Sequence, residues 1–193
     1  MANVNTLDFY NLNAETYALQ SLKADVSDPY TDFEECLDPE ARILDLGCGS
    51  GRDSKHFIEK GFRVVPVDGS PVMCKFAESY LGTSVRCIQF SELDYKKECD
   101  GIWACAALLH VPKKNLDAVM RKVERALTPY GVLYASFKYG EGENDIDGRH
   151  FSYYNEYDLD SLTDLKLIEY WVSDDVRPDH ANEKWLNTLW RNI

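Results

Sequence analysis

Along this chain, short apolar runs alternate with stretches whose apolar residues recur at helical spacing, and that alternation predicts an open α/β sheet. Strands are expected at residues 43–46, 62–68, 84–88, 101–107 and 132–138. The run 101–107 (Gly-Ile-Trp-Ala-Cys-Ala-Ala) has no polar alternation, as a central parallel strand buried on both faces requires. Leu116, Val119, Met120, Val123 and Leu127 stand at i, i+3, i+4, i+7 and i+11, one apolar stripe that turns a helix onto the sheet and makes Met120 core. A helix over 54–60 stops at Gly61, and Ser70-Pro71 reads as an N-cap followed by a proline at the first helical position. Toward the end, residues 165–173 alternate in part and 185–190 form a last strand, together the expected antiparallel edge. Tyr10, Leu12, Tyr17, Leu19, Leu22, Phe33 and Leu37 are scattered among polar residues as two leading helices, with a loop near Ser27-Asp28-Pro29. Residues 139–154 follow no period, and the glycine-punctuated stretch from Gly140 to Gly148 is long enough to be a functional lid.

The richest local signal is Ile43-Leu44-Asp45-Leu46-Gly47-Cys48-Gly49-Ser50-Gly51-Arg52-Asp53, a strand that runs into three alternating glycines and opens a helix. Glycine is needed where backbone turns with φ > 0 or lies against a ligand with no Cβ between. The spacing G-x-G-x-G departs from the dinucleotide fingerprint G-x-G-x-x-G, and no Lys-Ser or Lys-Thr follows as in a phosphate loop. Asp45 before the first glycine would repel a pyrophosphate and suits a cationic ligand group, so a cofactor with an ammonium and a sulfonium fits. The second strand ends in Asp68, about 20 residues past the loop, where such folds hold ribose hydroxyls. Met73, on the first turn of the next helix, lies beside the cofactor, and Cys48 and Cys105 border it as small apolar groups.

Composition narrows the class. At 193 residues and 45% hydrophobic, without low-complexity tract or repeat, residues 1–193 read as one domain. The start Met-Ala-Asn-Val-Asn-Thr lacks the features of a signal peptide, and no apolar stretch is long enough to span a bilayer. Six cysteines without a C-x-x-C pair exclude the usual zinc and redox templates, so no metal is expected and reduced thiols in the cytoplasm are. A net charge of -12 opposes nucleic acid as substrate, although solubility accounts for the larger share of it.

Asp45-Leu-Gly-Cys-Gly-Ser-Gly51, Val67-Asp68-Gly-Ser-Pro-Val-Met73 and the segment from Asp100 to Pro112 together resemble the class I S-adenosylmethionine-dependent methyltransferases. Gly51-Arg52-Asp53 and Leu-Leu-His-Val-Pro112 look similar to small bacterial enzymes called tellurite-resistance-like methyltransferases. The resemblance implies a Rossmann-like, three-layer, doubly wound sheet of seven mostly parallel strands with the last strand antiparallel. It also implies S-adenosylmethionine as cofactor and S-adenosylhomocysteine as product. Residues 1–40 would then fold over the cofactor, with Tyr17 as cover or as a plain anchor to the core. Cofactor contacts are expected from Asp45, Gly47, Cys48, Gly49, Arg52, Asp68, Gly69, Met73 and Ala104. Gln89 takes the place of an adenine-binding aspartate, beside Phe90 and Ser91. Relatives usually carry Pro-Gly-Gly where this chain has Pro129-Tyr130-Gly131, so that turn is expected to differ.

The acceptor is less constrained. His110 stands just past the end of the fourth strand, either as a base or substrate contact or as a histidine that only hydrogen-bonds its loop. Lys138, Arg149 and Tyr153 border the lid at 139–154, where the two cations clamp an anionic acceptor or simply pair with Glu141, Glu143 or Asp147. Arg177, in the loop 174–180, is a substrate contact or an ion-pair partner, and His56 is surface. The expected reaction is methyl transfer to a small molecule, an anion or oxyanion among the options, by a monomer or homodimer free of membrane. Two alternatives stay open: an RNA or protein methyltransferase docking through Lys113, Lys114, Arg121, Lys122 and Arg125, and a non-catalytic S-adenosylmethionine-binding regulator.

Overall fold

The computed structural model describes residues 5–177 and 182–193. Strands β1 (Arg42–Leu46), β2 (Arg63–Asp68), β3 (Arg86–Cys87), β4 (Cys99–Ala104) and β5 (Leu127–Tyr139) alternate with helices α3 (Arg52–Glu59), α4 (Pro71–Leu81) and α5 (Lys113–Ala126). Helices α1 (Thr6–Ser21) and α2 (Ser27–Glu34) precede them. After β5 come β6 (Glu143–Ile146), β7 (Arg149–Tyr154), a short helix α6 (Leu159–Leu162), β8 (Lys166–Asp174) and β9 (Lys184–Arg191).

The strands from β1 to β5 pair in parallel in the order β3-β2-β1-β4-β5. β9 joins β5 antiparallel and carries β8 on its far side. The expected seven-stranded sheet is therefore present as β3-β2-β1-β4-β5-β9-β8, Rossmann-like and mostly parallel. Alternate residues of its strands feed two cores. On one face Leu44, Ile102, Leu133 and Phe137 meet Leu116, Val119, Met120 and Val123 of α5. On the other, Ile43, Trp103, Val132 and Tyr134 pack on Phe57 of α3 and on Tyr30 and Phe33 of α2. Each large side chain so enclosed contributes about 1.5–3 kcal/mol of transfer free energy.

The irregular segment expected at 139–154 is instead mostly a hairpin, β6–β7, appended to the sheet where β7 pairs with the end of β5. Its turn is Asp147-Gly148, with φ of 52° and 82°, the two positive values that a tight two-residue hairpin turn demands. Periodicity missed β6 because all four of its residues are exposed and only Ile146 is apolar. Ser27 begins α2 rather than lying in a loop, which leaves Pro29 in a first helical turn where no intrahelical N–H is required. Tyr130 takes φ 65° and stands in solvent, adopting the left-handed conformation that glycine would hold at lower cost. Among the described residues no helix is long and apolar enough to cross a membrane, and no cluster of side chains could hold a metal ion.

Candidate active site

The site forms where β1, β2 and β4 end. Gly47 turns with φ 81°, and its N–H and that of Cys48 both donate to the Val67 carbonyl at 2.9 Å, tying the loop to β2. A Cβ on Gly47 would lie 2.8 Å from that of Ala107, so glycine is obligatory for close packing as well as for the turn. Gly49, with φ 52°, donates its N–H to Oδ2 of Asp68 at 2.9 Å, and the Ser70 N–H donates to Oδ1 at 2.8 Å. Each Asp68 oxygen thus holds one backbone donor and keeps lone-pair capacity toward the cavity. Burial raises the Asp68 pKa, against which the N–H groups of Ser70, Gly49 and Gly69 pull down. Ser70 caps α4 by accepting from the Met73 N–H at 3.1 Å, which sets Met73 beneath the loop.

Two expected cofactor contacts are displaced. Asp45 is sealed below the loop and accepts a hydrogen bond from Ser54 Oγ at 2.5 Å. Burial first, and then the charge of Asp53, push its pKa up, so it is a weaker counter-charge than a free carboxylate. Ala104 is fully buried inside β4, and the cavity wall begins one residue later with Cys105, Ala106 and Ala107. The anionic charge at this end belongs to Asp53, which sequence reading left unassigned. Asp53 receives Arg52 Nε at 2.5 Å, Tyr30 Oη at 2.6 Å and Trp103 Nε1 at 2.8 Å. Burial alone would raise its pKa, but the charge and hydrogen bonds of Arg52 hold it below the usual carboxylate value. Arg52 also donates to the Ser21 carbonyl of α1 at 3.2 Å, so one ion pair spans the glycine loop and the leading helix.

The other expected contacts line one cavity of about 1370 Å³. Gly47, Cys48, Gly49, Arg52, Asp68, Gly69 and Met73 form its floor, Gln89, Phe90 and Ser91 one wall, and Tyr17 part of its cover. Cys105 lines it too, whereas Tyr10, Asp53, Asp175 and Trp185 are members that sequence reading did not single out.

His110 and Arg149 line the same cavity. His110 Nδ1 lies 2.6 Å from the His150 carbonyl and Nε2 lies 2.8 Å from Tyr10 Oη. Burial drops its pKa to about 4, and the neighbouring Arg149 charge works in the same direction. Arg149 stacks its guanidinium 4.3 Å from the Phe9 ring centroid and 5.1 Å from that of Phe151. Its Nε is buried with no hydrogen-bond partner, and among the described residues Arg149 makes no ion pair. Glu143, one of its expected partners, binds His150 and the Lys113 N–H instead.

Lys138 differs from expectation, because its charge is spoken for. It pairs with Asp175 at 3.6 Å and with Glu183, and lies 4.7 Å from the Trp185 ring centroid. Burial, reinforced by Arg177, lowers its pKa to about 8. Arg177 forms a two-pronged pair with Asp175, Nε at 2.9 Å and Nη2 at 2.5 Å, the structural alternative to substrate contact. Tyr153 lines the cavity against Gly140, while Pro178, Asp179 and His180 of the same expected loop lie outside the described residues. His56 is not plain surface: it stacks on Tyr30 at 3.9 Å and bonds Glu34. On α5 the basic strip is not one free face: Lys114 and Arg125 are exposed and Arg121 pairs with Asp117, whereas Lys113 lies over the Tyr154 ring and Lys122 donates to the Leu93 carbonyl at the cavity.

Residues 43–131 match the family model described as a methyltransferase domain. YqeM of Bacillus subtilis (strain 168), which carries a methyltransferase name, is 34% identical over 127 residues, 59% of this chain and 51% of that protein. The N-demethylindolmycin N-methyltransferase of Streptomyces griseus is 34% identical over 98 residues, 47% of this chain and 41% of its own length. The chain thus spans about half the length of these curated relatives. Among solved structures, the Burkholderia thailandensis 1,6-didemethyltoxoflavin-N1-methyltransferase, with its substrate and S-adenosylhomocysteine bound, superposes with a TM-score of 0.80. That match has 21% sequence identity and covers 97% of this chain and 87% of that one, a likeness of fold. Over residues 43–131 the chain is thus similar to methyltransferase domains, and its whole fold is similar to that of a methyltransferase solved with S-adenosylhomocysteine bound.

Proposed function

We propose that this protein methylates a small molecule bound in the part of the cavity beyond the glycine loop. The observation that carries the proposal is the size and continuity of that cavity. Single-ligand pockets run to roughly 300–1,000 Å³, and this one, at about 1370 Å³, has room for a cofactor and an acceptor together. A non-catalytic binder would need only the first part.

The residues present fit S-adenosylmethionine. A Cβ on Gly49 would meet nothing nearer than Met73 Cε at 3.8 Å, so the loop is open toward the cavity. Asp68 keeps an acceptor site on each oxygen for the two ribose hydroxyls, and Gln89, Phe90 and Ser91 stand where an adenine edge would lie. When bound, this cofactor supplies an electrophilic methyl group on a sulfonium. The remaining task is positioning and exclusion of water. Helix α1 serves the second purpose, fastened through Tyr10 to His110, Asn11 to Ser70 Oγ at 2.7 Å, and Ser21 to Ser50 at 2.7 Å. Of the leading segment expected as a cover, 1–40, the described residues from 5 onward act as cover, and β6–β7 as the rim of the acceptor space within one domain.

Arg149 favours an anionic or carbonyl-bearing acceptor, since its guanidinium lines the cavity with no carboxylate partner among the described residues. The narrower likeness to tellurite-resistance-like enzymes rests on Gly51-Arg52-Asp53 at the loop and on Leu108 to Pro112 around His110, and neither segment fixes the chemistry of the acceptor. The net charge of -12 disfavours RNA, and the six free thiols suit a reducing compartment, the cytoplasm. Incubation with labelled S-adenosylmethionine, against a metabolite extract and against total RNA, tests the proposal. Label is expected in low-mass products; label confined to RNA or protein overturns it.

A further inference from the structure

Tyr10 lies on α1, outside the matched segment, and its hydroxyl sits 2.8 Å from His110 Nε2. The opposite ring nitrogen, Nδ1, faces the His150 carbonyl at 2.6 Å. A carbonyl oxygen only accepts, so Nδ1 carries the proton of the neutral imidazole and Nε2 has a bare lone pair. Tyr10 must then be the donor in the Tyr10–His110 bond. Its one proton is committed, and only lone pairs of its oxygen remain to face the cavity that Tyr10 lines.

Next to this obligate acceptor stands an obligate donor. Arg149 lines the same cavity, its guanidinium held by the rings of Phe9, the neighbour of Tyr10 on α1, and Phe151. Tyr17, edge-on to Tyr10 at 5.0 Å, closes the same wall. From this pairing, which rests on the small-molecule reading above, we infer that Tyr10 is a specificity-determining residue of the acceptor site. Its oxygen receives an N–H or O–H of the acceptor while Arg149 donates to an adjacent carbonyl or oxyanion. The acceptors are therefore small planar molecules bearing that donor beside that oxygen, such as lactams and their ring-fused relatives. An analogue already methylated on the donor atom has no hydrogen to give Tyr10 and sets a methyl group against its oxygen, and a site built to pair a polar hydrogen discriminates strongly against that.

Two measurements test this. Long-range nitrogen NMR of histidine-labelled protein is expected to show His110 as the Nδ1–H tautomer, with the Nε2 resonance moving in Tyr10→Phe; an Nε2–H tautomer would oblige Tyr10 to accept and overturns the inference. Calorimetry of the S-adenosylhomocysteine-loaded protein against matched pairs, 2-pyridone, 4-quinazolinone and lumazine each with its N-methyl derivative, is expected to favour the N–H member at least tenfold. Tyr10→Phe should reduce that preference below threefold. Equal affinity within the pairs, a preference that survives in Tyr10→Phe, or no binding by any pair overturns the inference. The loading titration separates the two levels: absent S-adenosylhomocysteine binding sinks the proposed function, whereas loaded protein with no lactam preference sinks only the role of Tyr10.

Discussion

Replacing Asp68 should cost both cofactor affinity and stability, and the two losses can be separated. Its carboxylate accepts from the Gly49 and Ser70 N–H groups at 2.9 and 2.8 Å, one per oxygen, and retains an acceptor site on each oxygen. Two ribose hydroxyls bound to a charged acceptor contribute about 1.5 kcal/mol each at the low end. Asp68→Ala is therefore expected to weaken S-adenosylhomocysteine binding by about 3 kcal/mol, roughly a hundredfold. The same change orphans two backbone donors. Water from the cavity relieves part of that cost, so urea unfolding of the ligand-free variant should show a loss of about 2 kcal/mol. Asp68→Asn keeps one accepting oxygen but turns an amide N–H₂ toward a backbone N–H, and should fall between, near tenfold in affinity. Calorimetry and urea titration on the three proteins decide the matter. If Asp68→Ala binds within threefold of wild type and unfolds at the same urea concentration, the arrangement of the loop around Asp68 is misread.

Other consequences are as direct. Burial takes His110 from 6.5 to about 4, so between those values the unfolded chain binds a proton that the folded chain refuses. The stabilisation is complete above pH 6.5 and about 3 kcal/mol of it is lost as pH falls to 4. Urea unfolding of wild type and His110→Asn across that window should show the extra slope only in wild type; parallel slopes refute it. Asp45→Asn should leave S-adenosylhomocysteine affinity within about threefold, since the carboxyl it replaces is buried under the loop against Ser54 and burial disfavours its charged form. A tenfold loss would restore Asp45 as a cofactor ligand. Gly47→Ala places a Cβ 2.8 Å from Ala107 at φ 81°, and urea titration should register a destabilisation of about 2 kcal/mol or more; unchanged stability would mean that the loop moves freely.

What could be read from the sequence follows from where each constraint resides. The glycine loop and Asp68 were legible because a positive φ, a strand end and a fixed spacing are properties of a short segment, and the sheet order followed from strands that alternate with helices. Asp45 and Asp53 show the limit. Both are acids bracketing the same loop, and only the alternation within β1 decides that the first turns down toward Ser54 while the second, at the start of α3, joins Arg52 in the cavity wall. The charge balance at Lys138 was hidden for a different reason. A cation near a run of acidic residues reads as free for an anion or as paired with those neighbours, yet its partners, Asp175 and Glu183, come from the far end of the chain beside β8 and β9. Tyr10 and His110 stand 100 residues apart, and neither has a local pattern that points to the other. Their contact exists because α1 crosses the ends of the strands, and α1 can do so because it buries little beyond Ala14 and Ala18 and is fastened at polar points. A helix attached that way leaves a weak hydrophobic signature. Tyr10, to which we assign acceptor choice, therefore sits on the element that apolar periodicity describes least, while Asp68 and the glycine loop sit on elements it describes best.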